Sequence, residues 1–210
     1  MKTISNATFR YPKSEDISPV WNTESQILIL GSITSTDGMK KGFYYASQKN
    51  QLWQLIDLCF SCDVFVKLKN ELKSNYENLQ NKIVDEPIFK NVRQDIKNKF
   101  KSELAKRKIA ICDVFESCYF NNNSSLDTEI ILNNTNYPFV TNKNVIQKII
   151  SNSNIKKVIV NSRFVETQFL NMKIAGNYET IYVPSPSPRK GSIDKKIDAW
   201  KIAFGDHNYE

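Results

Sequence analysis

The stretch Gln26-Ile27-Leu28-Ile29-Leu30-Gly31-Ser32-Ile33-Thr34-Ser35 decides how the rest of this chain is read. An apolar run without alternation, closed by a glycine and small polar residues, is the pattern of a strand covered on both faces. Three more runs repeat it: Lys108–Cys112 before Asp113, Lys156–Val160 before Asn161, and Glu179–Val183 before Pro184. Helical spacing lies between them. Asn50 to Phe60 carries Leu52, Trp53, Leu55, Ile56 and Phe60. Thr141 is placed to cap a helix with Val145, Ile146, Ile149 and Ile150; Ser162 one with Val165, Phe169 and Leu170; Ser192 one with Ile193, Ile197, Trp200 and Phe204. Strands alternating with helices predict an α/β fold, a three-layer sandwich with a central, mainly parallel four-stranded sheet flanked by helices. Such sheets bind ligands at the carboxyl ends of their strands. Here those ends are the turns that start at Gly31, Asp113, Asn161 and Pro184.

With 210 residues, 40% of them apolar and 11% aromatic, the chain is long and apolar enough for one domain with a true core. Residues 66–107 stand apart as a charged helical insertion, two helices split at Glu86-Pro87. Six glycines and seven prolines exclude collagen-like and linker-like sequence. No apolar run reaches the roughly 18–20 residues of a membrane span. Met1 to Asn6 lacks the apolar stretch of a secretory signal, so a cytoplasmic protein is expected. Of the four cysteines, Cys59 and Cys62 have the spacing of metal and redox sites, but Cys112 and Cys118 are spaced more widely. Reduced structural thiols are the expectation, with no metal and no cofactor. The one histidine, His207, lies near the C-terminus, which disfavours Ser-His-Asp and Cys-His catalysis.

The net charge is +7. Between Lys90 and Lys108 eight basic residues stand against two acidic ones, a local excess of six that includes Lys97, Lys99 and Lys101. That cluster is either a solvated helix face or a surface for a phosphate backbone. Arg189 and Lys190 add further positive charge after the Pro-Ser run 184–188.

After Ser35 the chain reads Gly42-Phe43-Tyr44-Tyr45-Ala46-Ser47-Gln48-Lys49-Asn50-Gln51-Leu52-Trp53. A strand, a small-residue turn, a Gly-Phe-aromatic-aromatic-Ala segment and an Asn-x-x-Trp helix start, in this order, resemble the uracil-DNA glycosylase superfamily. The hypoxanthine-DNA and mismatch-specific branches are the most similar. Cys112-Asp113-Val114 with Ser125-Leu126-Asp127, Val160-Asn161-Ser162, and Val183-Pro-Ser-Pro-Ser-Pro-Arg189 are similar to later stretches of that pattern. The chain departs from it as well. Ile33 stands where several branches carry a catalytic Asp or Asn, Thr34 replaces a proline, and Ser47-Gln48 replace His-Pro. Residues 66–107 are largely unmatched.

The resemblance implies a monofunctional DNA glycosylase. It would hydrolyse the N-glycosidic bond of a flipped-out deaminated or modified base, of the hypoxanthine or uracil class, and leave an abasic site. DNA is then the partner, and a monomer without an obligate protein partner is expected. Asn50 would orient the water, or serve only as a helix cap. The amides of Ser32 and Ile33 would hold the base carbonyl, or form an ordinary turn. Tyr45 stacks on the base or packs in the core. Asn161 reads the base edge or turns the chain. Asp113 holds a water or a base amino group, or caps. Ser185 and Ser187 would form a stiff loop that grips the strand, or only a Pro-rich connector, with Arg189 and Lys190 as phosphate contacts. Two rivals stay open: a glycosylase for bulky hypermodified bases of bacteriophage DNA in anti-phage defence, and a non-catalytic DNA-binding module.

Overall fold

The computed structural model describes residues 7–10, 17–121, 127–132 and 134–205. His207 and the Ser125-Leu126 pair lie outside them. Four parallel strands form the central sheet in the order β3-β2-β6-β7, namely β2 (Ile27–Gly31), β3 (Ile109–Asp113), β6 (Lys157–Val160) and β7 (Glu179–Tyr182). β2 sits at the centre, with Leu30 opposite Cys112 on one side and Val160 on the other, and Gly31 opposite Asp113. This is the four-stranded parallel sheet expected from the apolar runs.

The unbroken runs divide between two cores because successive side chains point to opposite faces. Ile27, Ile29, Ile109, Ile111 and Ile159 face one way. They meet α2 (Leu52–Cys59), α3 (Val64–Gln80), α4 (Glu86–Lys106) and α7 (Asp194–Phe204) through Trp53, Phe65, Phe100 and Trp200. Leu28, Leu30, Cys112, Val158 and Val160 face the other way. They meet α5 (Lys143–Asn152) and α6 (Arg163–Asn171) through Ile146, Ile149, Val165 and Phe169. The result is helices, sheet, helices.

The charged stretch forms the two expected helices. Asp85 caps α4 by accepting from Ile88 N, and Pro87 lies in its first turn, where a missing N–H costs nothing. Three features differ from the sequence reading. A three-stranded antiparallel sheet, β1 (Ala7–Arg10), β4 (Phe115–Asn121) and β5 (Val140–Thr141), extends the second layer. A register shift between Phe115 and Ser117 breaks the period of two that would have marked β4. A short helix, α1 (Thr36–Lys41), fills the gap after Ser35, whose hydroxyl accepts from Gly38 N. Two caps move by one residue. Thr141 belongs to β5 and the cap position of α5 is Asn142, while that of α7 is Ile193 and not Ser192. Ser162 caps α6 as expected, accepting from Val165 N. Among the described residues no helix is long and apolar enough to cross a membrane.

Candidate active site

All four parallel strands end at one edge, and a cleft of about 250 Å³ opens there. It is slightly smaller than ligand pockets of roughly 300–1,000 Å³. Four strand-end segments line it: Gly31–Ser35, Asp113, Asn161 and Ser185–Arg189. A fifth segment, Tyr44 to Asn50, closes it. The cleft thus collects Ser32, Ile33, Tyr45, Asn50, Asp113, Asn161, Ser185, Ser187 and Arg189, nine of the residues singled out in the sequence.

The floor is built around Gly31. The Tyr45 hydroxyl and the Asp113 Oδ1 atom lie 2.3 and 2.6 Å from where a β-carbon on Gly31 would stand. No other residue type leaves room for both. Tyr45 reaches this place through a left-handed backbone (φ 52°), a strained conformation for a non-glycine residue, and its hydroxyl accepts from Asn161 Nδ2 at 2.7 Å. Burial first, and then the Asp113 charge, hold the phenol well above its ordinary pKa, so it stays neutral. Thr34 Oγ1 donates to Asp113 Oδ2 at 2.7 Å.

Asp113 is 4% exposed, and burial pushes its carboxyl up to about 7 from an ordinary 3.8, with hydrogen bonds from Thr34 opposing the shift. A carboxyl with a raised folded-state pKa binds more protons folded than unfolded. Its contribution to stability is therefore full below about pH 4 and is lost as the pH rises toward about 7. At roughly 1.4 kcal/mol per pH unit the loss is at most about 4 kcal/mol. Urea midpoints measured from pH 4 to 8 are expected to fall more steeply in the wild type than in Asp113→Asn, which stays neutral throughout.

The wall opposite the floor is the start of α2. The cap position of α2 is Gln51; Asn50, one residue before it, accepts through Oδ1 from Leu52 N, the first N–H of the helix, at 2.9 Å while lining the cleft. Gln51 N donates to Pro186 O at 2.9 Å. α7 secures the same loop from behind. Trp200 Nε1 donates to Pro184 O at 3.0 Å, and the buried Lys196 ammonium donates to Ser187 O and Gln51 Oε1, both at 2.7 Å.

Lys97, Lys99 and Lys101, expected as DNA contacts on the charged helices, do not line this cleft. α4 leads into the start of β3, so its second half lies at the opposite edge of the sheet; Lys101 stands beside Ile109. Lys97 is 6% exposed. Lys99 is paired with Asp95 at 2.8 Å and lies 3.9 Å from Glu71. Lys190 follows the cleft-lining Arg189 in the turn Pro188–Lys190 and is exposed. The sequence reading assigned no role to Tyr44, Ser47, Lys49 and Asp127, all of which line the cleft, nor to Thr34, noted there only as a departure. All five lay inside stretches already quoted, Ser47 like Thr34 as a departure from the pattern, and Lys49 without any distinguishing mark.

All four cysteines are free thiols, Cys112 and Cys118 buried, Cys59 and Cys62 half-buried. Cys62 Sγ donates to Asp57 Oδ1 at 3.1 Å, and burial pushes the Cys59 thiol up to about 12. Among the described residues, no three His, Cys, Asp or Glu side chains gather as metal ligands would.

These features define an α/β protein with a polar cleft at the carboxyl edge of a parallel sheet, beside the central strand. Its fold is similar to the solution NMR structure of a putative uracil DNA glycosylase from Methanosarcina acetivorans. The TM-score is 0.60 at 19% identity, over 94% of this chain and 97% of that one. No protein-family model and no curated protein matches the chain.

Proposed function

We propose that this protein is a DNA glycosylase that hydrolyses the N-glycosidic bond of a deaminated or modified base turned out of the duplex. One observation carries the reading: the strand-end turn, the Asn50 helix start and the Pro-Ser loop converge on a single cleft. The shared fold agrees with it.

The chemistry follows from what each side of the cleft offers. Breaking the bond builds positive charge on the sugar and negative charge on the departing base. The amides of Ser32 and Ile33 supply fixed dipoles for the base carbonyl. Asp113, as a carboxylate, accepts from a ring N–H or amino group, and Tyr45 forms the floor against the ring. Asn50 Oδ1 has a second lone pair beyond the one given to Leu52 N, and with it holds the attacking water. The water oxygen bonds to the anomeric carbon, the base leaves with the electron pair, and the water's proton goes to the base. Ser185, Ser187 and Arg189 hold the neighbouring backbone.

The test is a base-release panel. Duplexes carrying uracil, hypoxanthine, xanthine or a bulky modified pyrimidine are incubated with the protein, and abasic sites are cleaved with alkali. Strand breaks are expected for at least one modified duplex and none for unmodified DNA. Salt-sensitive binding without base release from any duplex would make the protein a binding module and end this reading.

The phosphate contacts have a separate signature. Arg189→Gln and Lys190→Gln are each expected to lower the slope of log affinity against log salt concentration by about 0.9, the share of one phosphate. Lys101→Gln, on the far edge, is expected to leave that slope unchanged in the same titration between about 50 and 200 mM salt.

A further inference from the structure

The turn that presents Asn50 is held from behind by a residue of the charged stretch. Lys69 Nζ, on α3, donates to Gln48 O at 3.0 Å and to Asn50 O at 2.6 Å. The stem of Lys69 has little freedom, because α3 is fixed by Phe65, Leu68 and Leu72 in the first core, with Phe65 stacked on Trp53 of α2 at 5.4 Å. Charge-assisted bonds of this kind are roughly twice as strong as neutral ones. The other anchors of the turn are Asn50 N to Ser47 O at 3.0 Å, Gln48 N to Asp37 Oδ2 at 3.3 Å, and Gln51 N to Pro186 O. Among the described residues, Lys69 alone ties two of its carbonyls to one point.

We infer that Lys69 is a positioning residue, holding the backbone of the Gln48–Asn50 turn so that the Asn50 side chain faces the cleft. In its role in catalysis this inference rests on the glycosylase reading; in its role in the turn it does not. It gives α3, which the resemblance leaves unmatched, a defined task. Keeping an ammonium there runs against its surroundings. Burial, and then the Lys41 charge, lower its pKa to about 8, with Asp37 opposing.

The test uses Lys69→Met, which keeps the stem and removes the donors, and Lys69→Arg, whose fork reaches two carbonyls. Amide hydrogen exchange is followed at Gln48, Asn50 and Gln51, alongside single-turnover base release on the best duplex of the panel. In the Met variant these amides are expected to exchange about 10-fold faster or more, with Leu28 to Leu30 unchanged. Base release should fall about 10–100-fold, with the half-saturating DNA concentration within about twofold of wild type. Arg should restore both readouts to within about threefold. Unchanged exchange in the Met variant overturns the inference, whatever the activity. A change confined to the half-saturating DNA concentration would make Lys69 a DNA contact and also overturn it. If the Met variant fails to fold, the Arg variant decides: fast exchange at the turn despite the retained cation overturns the inference. A wild-type protein that releases no base defeats the glycosylase reading instead, and leaves the exchange data to settle the part of Lys69 in the turn.

Discussion

Asn50→Ala is expected to lower single-turnover base release by about 10³-fold or more while leaving the dissociation constant for DNA within about threefold. Under the proposed function the side chain has two tasks that different substitutions separate. Its Oδ1 accepts the first N–H of α2, from Leu52, and losing such a bond at a helix start costs roughly 1 kcal/mol. Asn50→Ser keeps a capping oxygen but is too short to reach a water in the cleft. It should therefore melt like the wild type and be as inactive as the alanine variant. Asn50→Asp keeps both the length and the acceptor, and should retain measurable activity. Activity at wild-type level in Asn50→Ser would reduce Asn50 to a cap and remove the catalytic assignment.

Gly31→Ala is expected to disable the cleft from its floor. The added methyl would lie 2.3 Å from the Tyr45 hydroxyl and 2.6 Å from Asp113 Oδ1. Neither atom is the end of a free side chain, since Asn161 holds the first residue and Thr34 the second. The glycine is required for space; its backbone is that of an ordinary strand. Overpacking of this kind costs about 1–3 kcal/mol. A displacement of about 1 Å at the reacting centre costs about 10²-fold in rate. Thermal melting and single-turnover cleavage should therefore both fall. A variant that melts and cleaves like the wild type would show that Tyr45 and Asp113 are not fixed parts of the site.

Much of this was legible in the chain because β2, β3 and β6 are covered on both faces, and all four strands of the parallel sheet stop abruptly before polar turns. Those stops line the cleft, which is why Ser32, Asp113, Asn161 and Ser185 were found together. β4 was hidden by its bulge, and β5 by its length of two residues. Lys97 shows the limit of counting charge without counting angle. At 100° per residue it falls beside Leu104 on the stripe set by Phe89, Ile96 and Phe100, and the stripe buries it. Lys69 and Lys196 looked like two lysines among many. Their tasks depend on partners 19 and 145 residues away, which only the folded chain brings into reach.

The anchoring of the Pro-Ser loop also bears on how quickly a ligand is captured. β7 is the edge strand of the sheet and is mostly half-exposed, yet the loop that follows it does not depend on the sheet for its shape. Its carbonyls at Pro184, Pro186 and Ser187 are taken by Trp200, Gln51 and Lys196. Ordering a residue's backbone costs about 1–2 kcal/mol, and for this loop that loss falls when the chain folds. Under the proposed function, an arriving strand would meet a loop whose backbone is already ordered, which brings encounter and docking close to one event, limited by diffusion and charge.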